Sequence, residues 1–165
     1  MQNTSRKVVV LATGGTIAGT AARAGDNIGY SAAQLGVQAL VDAVPPLRDV
    51  PLDTEQVAQV DSKDMEFTIW AALAARVAHH LERDEVAGIV ITHGTDTLEE
   101  TAYLLQRLLA PAKPVVLTAA TRSSRPAPAN FEVGVSISGM PGPPFGPTWR
   151  MTTRQPGSMS LAAIA

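Results

Sequence analysis

Lys7-Val8-Val9-Val10-Leu11-Ala12-Thr13-Gly14-Gly15 is the stretch on which the fold turns. It is short, almost wholly apolar, β-branched at its centre and closed by two glycines. Such a run suits a strand buried on both faces of a parallel sheet. Two others resemble it: Gly88-Ile89-Val90-Ile91-Thr92 and Pro114-Val115-Val116-Leu117-Thr118-Ala119. Between them lie apolar stripes at steps of three and four, namely Phe67, Trp70, Ala74, Val77 and Leu81, then Leu98, Ala102, Leu105 and Leu109. These predict two amphipathic helices. A third helix is expected over 32–44, stopped by Pro45-Pro46. A short strand is expected over 56–60. Strand and helix in alternation imply a parallel sheet with right-handed crossovers. The predicted class is α/β: a doubly wound, flavodoxin-like or Rossmann-like, mostly parallel sheet, truncated, with an irregular C-terminal tail.

The rest of the composition narrows the function. The 165 residues fit one domain, and 45% hydrophobic residues support a core. Thirteen Lys+Arg against 15 Asp+Glu leave a net charge of −2, which argues against nucleic-acid and membrane-surface partners. The absence of cysteine excludes disulfides, thiolate metal sites and a Cys nucleophile. No apolar run reaches the ~18 residues of a membrane span. The first residues have a basic start but too short an apolar run for a signal-peptide core. A cytoplasmic protein is expected, or a mature chain, periplasmic for example, whose leader is absent. Beyond Ala120 the character changes. Seven of the 12 prolines fall in 126–165, and the last acidic residue is Glu132. There only Phe131, Val133, Val135 and Ile137 alternate like a strand. The expected organisation is an α/β domain over 1–120 and a Pro/Gly-rich, loosely docked tail over 121–165.

All three strong strands end in hydroxyl residues: Thr13-Gly14-Gly15-Thr16, Thr92-His93-Gly94-Thr95-Asp96-Thr97 and Thr118-Ala119-Ala120-Thr121. Ligands of open α/β sheets sit beyond the carboxyl ends of the strands. Glycines there allow close approach and leave N–H groups to hold an oxyanion. Plain readings stand beside the functional ones. Thr97-Leu98-Glu99-Glu100 matches a capping box, so Asp96 and Thr97 have a role in starting a helix. Gly14-Gly15 also reads as a tight turn, and His93 as a structural hydrogen-bonder. His79-His80 read as solvated helix surface. G-x-G-x-x-G, the phosphate-loop motif, a nucleophile elbow and H-E-x-x-H are all missing, so no cofactor or metal is expected.

Ala12-Thr13-Gly14-Gly15-Thr16-Ile17-Ala18-Gly19 and Thr92-His93-Gly94-Thr95-Asp96-Thr97 resemble the two signature motifs of the bacterial-type L-asparaginases, the asparaginase/glutaminase family. Asp61-Ser62-Lys63-Asp64-Met65 resembles its substrate-binding loop, and the likeness runs over about 7–120. The resemblance implies cofactor-free hydrolysis of L-asparagine, and in some members L-glutamine, to the acid and ammonia. It implies Thr16 as nucleophile and Tyr30 as the partner of its hydroxyl. It implies Thr95 as a second catalytic threonine and Asp96 as the partner of the substrate α-ammonium. Ser62 would bind the α-carboxylate, and Lys63 stands where relatives carry Gln or Glu. Backbone at Gly15, Gly94 and Thr95 would hold the oxyanion. Full-length relatives are homotetramers, dimers of dimers.

The sequence also departs from the family. After Ala120 the family reads M-R-P; here Thr121-Arg122-Ser123-Ser124-Arg125-Pro126 keeps only Arg122 in place. The family's catalytic lysine would fall just past Ala165, and Lys7, Lys63 and Lys113 are not at its position. On this reading the family's smaller C-terminal domain is expected to be missing. A reading-frame shift or truncation after Ala120 is therefore expected, with activity weakened or lost. The sheet is expected to end in an unpaired, aggregation-prone edge. A non-catalytic amino-acid-binding module is the second reading, and a nucleotide-binding doubly wound domain a third.

Overall fold

The structure, a computed structural model, describes residues 6–21, 30–31, 33–121, 131–137 and 149–154. Strand β1 (Lys7–Gly14) leads to a 3-10 turn and a small hairpin, β2 (Thr20–Ala21) with β3 (Tyr30–Ser31). Then follow α1 (Val37–Asp42), β4 (Leu52–Val60), α2 (Phe67–Leu81), β5 (Val86–Thr92), α3 (Leu98–Leu109) and β6 (Val115–Thr121). Strands β7 (Phe131–Ile137) and β8 (Trp149–Arg154) complete the main sheet, whose order is β4-β1-β5-β6-β7-β8. The first four strands are parallel and the last two antiparallel.

The apolar run of β1 is central and buried from Val8 onward. Val9 and Leu11, with Ile89, Ile91, Val115 and Leu117, form the main core under α2 and α3. Val10 and Ala12 point to the opposite face, where Val37 of α1 covers them. The doubly wound class thus holds: helices flank both faces of the parallel strands, with successive side chains of β1 serving each face in turn.

Several elements differ from their sequence reading. Helix α1 is shorter than 32–44. Ala33 sits at φ 55°, and the N–H groups of Gln34 and Leu35 donate to the Ala18 carbonyl instead of starting a helix. The helix begins only where the Gln56 side chain accepts the Val37 N–H at 2.8 Å. Strand β4 is longer than 56–60 because its first half is a polar sheet edge carrying Asp53, Thr54 and Glu55. Phe67 is not core but 83% exposed. As the first residue of α2 it has no preceding turn to cover, and its ring meets Trp70 edge-on at 5.6 Å.

His80 is buried, against the solvated-surface reading, while His79 is exposed. Neighbouring helix residues diverge by about 100°, so one ring enters the α2–β4 seam. There His80 Nε2 lies 2.8 Å from Glu55 Oε2, and Arg76 forks onto the same carboxylate at 2.5 and 2.9 Å. The edge of β6 is not unpaired. Strand β7 occupies it, with Val133, Val135 and Ile137 opposite Ala119, Leu117 and Val115, and β8 pairs beyond. The alternation at Phe131–Ile137 thus does form a strand. Trp149–Arg154, with only two large apolar residues, is a strand that alternation did not reveal.

Candidate active site

The site grows from the carboxyl ends of β1, β4 and β5. Strand β1 closes at Gly14 and Gly15, at φ +103° and +75°, a region that side-chain-bearing residues rarely enter. The Gly15 N–H donates to the Val60 carbonyl at 2.8 Å, and its carbonyl accepts from Ala18 and Ala33. A Cβ on Gly15 would run into Gly94 N and lie 2.5 Å from Gly94 Cα. A Cβ on Gly94 would overlap Ser62 Oγ and lie 2.6 Å from Ser62 Cβ. The first glycine motif, the second, and the Asp61–Met65 loop are therefore packed backbone to backbone in one place. Nearest neighbours in space here are far apart in the chain.

Ser62 is buried and ties the two loops together. Its Oγ accepts the Asp96 N–H at 3.2 Å, and its carbonyl accepts from Thr97 Oγ1 at 2.9 Å. This overturns the capping-box reading of Thr97. Its hydroxyl is spent on Ser62, and no side-chain cap closes the start of α3. Thr95 is half-buried and Asp96 exposed. Lys63 is exposed and pairs with Asp64 at 2.5 Å and with Asp61 at 3.9 Å. The Asp64 carboxylate holds the Lys63 ammonium above its usual range, with Asp61 and Asp96 adding smaller pulls.

Thr16 opens the 3-10 turn Thr16–Ala18, which lies against β6, and Tyr30 pairs with Ala21 in the small hairpin. Their side chains, and Arg122, lie outside the described residues. Thr13 serves the fold: its Oγ1 donates to the Thr92 carbonyl at 3.1 Å. The Thr92 hydroxyl is buried with no partner among the described residues. His93 is fully buried, and burial pushes its imidazole below the usual histidine range, against smaller upward pulls from the Gly94 carbonyl and Glu100. Lys7 pairs with Asp53 at 2.9 Å, and Lys113 donates to the Arg83 carbonyl at 2.6 Å, both at the opposite end of the strands. Among the described residues no cluster of three or more His, Cys, Asp or Glu could hold a metal, and no helix is long and apolar enough to cross a membrane.

Two contributors escaped the sequence reading. Gln56 accepts from Val37 and donates to the Ala12 carbonyl at 3.3 Å, so it sets β1, β4 and α1 together below the glycine turn. Thr101 lies between His93 and Trp70. Thr101 carries one signal, its place three residues after Leu98 and four before Leu105 on the apolar face of α3; Gln56, among the polar residues of β4, carries none.

The sequence matches the family model "Asparaginase, N-terminal" over residues 7–131, past the Ala120 boundary. It is 42% identical to L-asparaginase 2 of Bacillus subtilis over 80% of this chain and 36% of that one. It is 44% identical to L-asparaginase 2 of Escherichia coli over 71% and 33%, and 44% identical to glutaminase-asparaginase of Pseudomonas fluorescens over 70% and 32%. Among solved structures, the probable cytoplasmic L-asparaginase of Campylobacter jejuni is similar, with a TM-score of 0.67 and 43% identity over 72% of this chain and 36% of that one. The chain thus spans about a third of the length of the curated relatives it matches.

Proposed function

The chain belongs to the asparaginase family through its N-terminal domain, and on that premise we propose that it is an amidohydrolase site for L-asparagine, with L-glutamine as the alternative substrate. The observation that carries the reading is the mutual packing of Gly15, Gly94 and Ser62. It gathers both threonine motifs and the Ser62 loop around one small space. In the proposed reaction the Thr16 hydroxyl attacks the side-chain amide carbon, with Tyr30 as the hydrogen-bond partner that draws off its proton. Ammonia leaves, an acyl-enzyme forms, and water, assisted at Thr95, releases L-aspartate. In this reading the N–H groups of Gly94 and Thr95 hold the oxyanion, whereas the Gly15 N–H, expected beside them, is spent on the Val60 carbonyl; one such donor is typically worth about 3–4 kcal/mol.

Ser62 and Asp96 supply the amino-acid selectivity. The Ser62 hydroxyl accepts from Asp96 N–H, which leaves its single proton for an α-carboxylate. In this reading the exposed Asp96 carboxylate meets the α-ammonium, and Lys63 adds a cation two residues after Asp61. The test is ammonia release from L-asparagine, compared with Thr16→Ala. Release by the parent chain and none by the variant is the expected result; equal release would sink the reading.

The second reading, a non-catalytic amino-acid-binding module, is favoured by the lysines. Lys7 and Lys113 are engaged far from the glycine turns and Lys63 is held by Asp64. The lysine that the family resemblance implies is therefore supplied by none of them. A rise in melting temperature with L-asparagine, and no ammonia above the Thr16→Ala control, identifies this module. The division into 1–120 and 121–165, with a shifted reading frame in the second part, also stands as a proposal. The compositional change after Ala120 supports it, and the family match to residue 131 and the β6–β7 pairing weigh against it. Sequencing the gene across this junction decides it. A cytoplasmic location draws support from the name of the Campylobacter protein, whereas the Haemophilus influenzae relative is named as periplasmic; fractionation separates the two.

A further inference from the structure

A chain of hydrogen bonds, half-buried at Trp70 and buried from Thr101 onward, runs from α2 through α3 to the floor of the site. Trp70 Nε1 lies 2.8 Å from Thr101 Oγ1. Thr101 Oγ1 lies 3.1 Å from His93 Nε2. His93 Nδ1 lies 2.8 Å from the Gly94 carbonyl oxygen. The direction of every bond follows from the two ends. An indole N–H only donates and a carbonyl oxygen only accepts. His93 Nδ1 must therefore carry a proton. Its Nε2, bare in the neutral ring, accepts the Thr101 hydroxyl proton, and Thr101 Oγ1 accepts from Trp70. Burial of the ring favours the neutral form that this order requires.

The far end of the chain is the Gly94–Thr95 peptide. It is trans, as are all the described peptides, and a planar trans peptide points its C=O and N–H in opposite directions. Holding the Gly94 oxygen at the buried ring turns the Thr95 N–H away from the α2–α3 core. That N–H donates to no group among the described residues, whereas the next one, of Asp96, is taken by Ser62 Oγ. An oriented, unspent donor beside the contact of Gly15, Gly94 and Ser62 has one evident use. We propose that His93, backed by Thr101 and Trp70, is a positioning residue that aims the Thr95 N–H at the carbonyl oxygen of the bound amide. The proposal rests on the amidohydrolase reading and extends it to three residues that touch no substrate.

The test uses the full chain, labelled with 15N. A long-range 1H–15N correlation of the His93 ring is expected to show Nδ1 protonated and Nε2 bare. Thr101→Val keeps the shape and removes the hydroxyl; it is expected to shift the Thr95 amide resonance and scramble the ring tautomer. With L-aspartate as the probe, its affinity is expected to fall by one hydrogen bond's worth, roughly three- to tenfold. Thr101→Ser should restore all three readouts, which a loss of packing would not allow. Where turnover is measurable, kcat should fall more than KM rises. A ring protonated at Nε2 overturns the proposal. So does a folded Thr101→Val chain whose Thr95 amide and L-aspartate affinity are unchanged. If the parent chain binds no L-aspartate, the amidohydrolase reading fails, and the tautomer with the Thr95 amide decides the positioning role by itself.

Discussion

Replacing Gly94 by alanine tests whether the two glycine motifs and the Ser62 loop truly share one space. The new Cβ would overlap Ser62 Oγ, lie 2.6 Å from Ser62 Cβ and 3.2 Å from Gly15 Cα. Ser62 must move. Its hydrogen bond from Asp96 N–H is then lost, at about 1 kcal/mol. Forcing a methyl into packed surroundings costs roughly 1–3 kcal/mol more. The sum is about 2–4 kcal/mol, and for a chain of this size that lowers the melting temperature by roughly 4–16 °C. Ser62→Gly alone removes the hydrogen bond and adds glycine's backbone entropy, about 1–2 kcal/mol. In the double variant Ser62 no longer obstructs the methyl, and only the 3.2 Å contact with Gly15 remains. The two costs should therefore fall short of adding, by about 1–3 kcal/mol. Urea unfolding of the parent chain, both single variants and the double measures this. Additive costs within experimental error would refute the claim that Ser62 is what fills the space next to Gly94.

Four further substitutions probe the scaffold. Glu55→Gln should cost about 2 kcal/mol at neutral pH by weakening the bonds to Arg76 and His80. Arg76 holds the Glu55 carboxyl below its usual range. Its contribution is thus complete above the ordinary glutamate pKa of about 4.3 and disappears as pH falls through the lower folded value. Parent and variant stabilities should converge in acid, and urea midpoints against pH will show it. Ala110 ends α3 at φ 39°, so Ala110→Gly should raise stability by roughly 1 kcal/mol with an unchanged denaturant slope. Phe67→Ser should change stability by no more than about 0.5 kcal/mol, because the ring is 83% exposed. Leu73→Ala, whose side chain is fully buried about one and a half turns on, should cost roughly 2–5 kcal/mol; equal losses for the two would contradict the exposure of Phe67.

Local chemistry determined what could be read without coordinates. The β-branched run at Lys7–Gly14 can bury itself only as an inner strand, and the three- and four-residue stripes in 67–81 and 98–109 can only be one-sided helices. The glycine–threonine clusters pointed to a candidate site because glycines beside hydroxyls at strand ends open the backbone to a ligand, although Thr13 and Thr97 serve the fold. Tertiary structure decided the rest, since it depends on which distant segments meet. Phe67 belongs to its helical stripe by period but projects beyond the first turn, where no sheet lies beneath it. His80 enters the interior because Glu55, on a strand 25 residues earlier, waits there with Arg76. Thr97 has a capping residue's chemistry and neighbours, yet its hydroxyl goes to Ser62, 35 residues away. The order from Trp70 through Thr101 and His93 to Gly94 is invisible in the chain because periodicity records which face a residue occupies, not which partner it finds there.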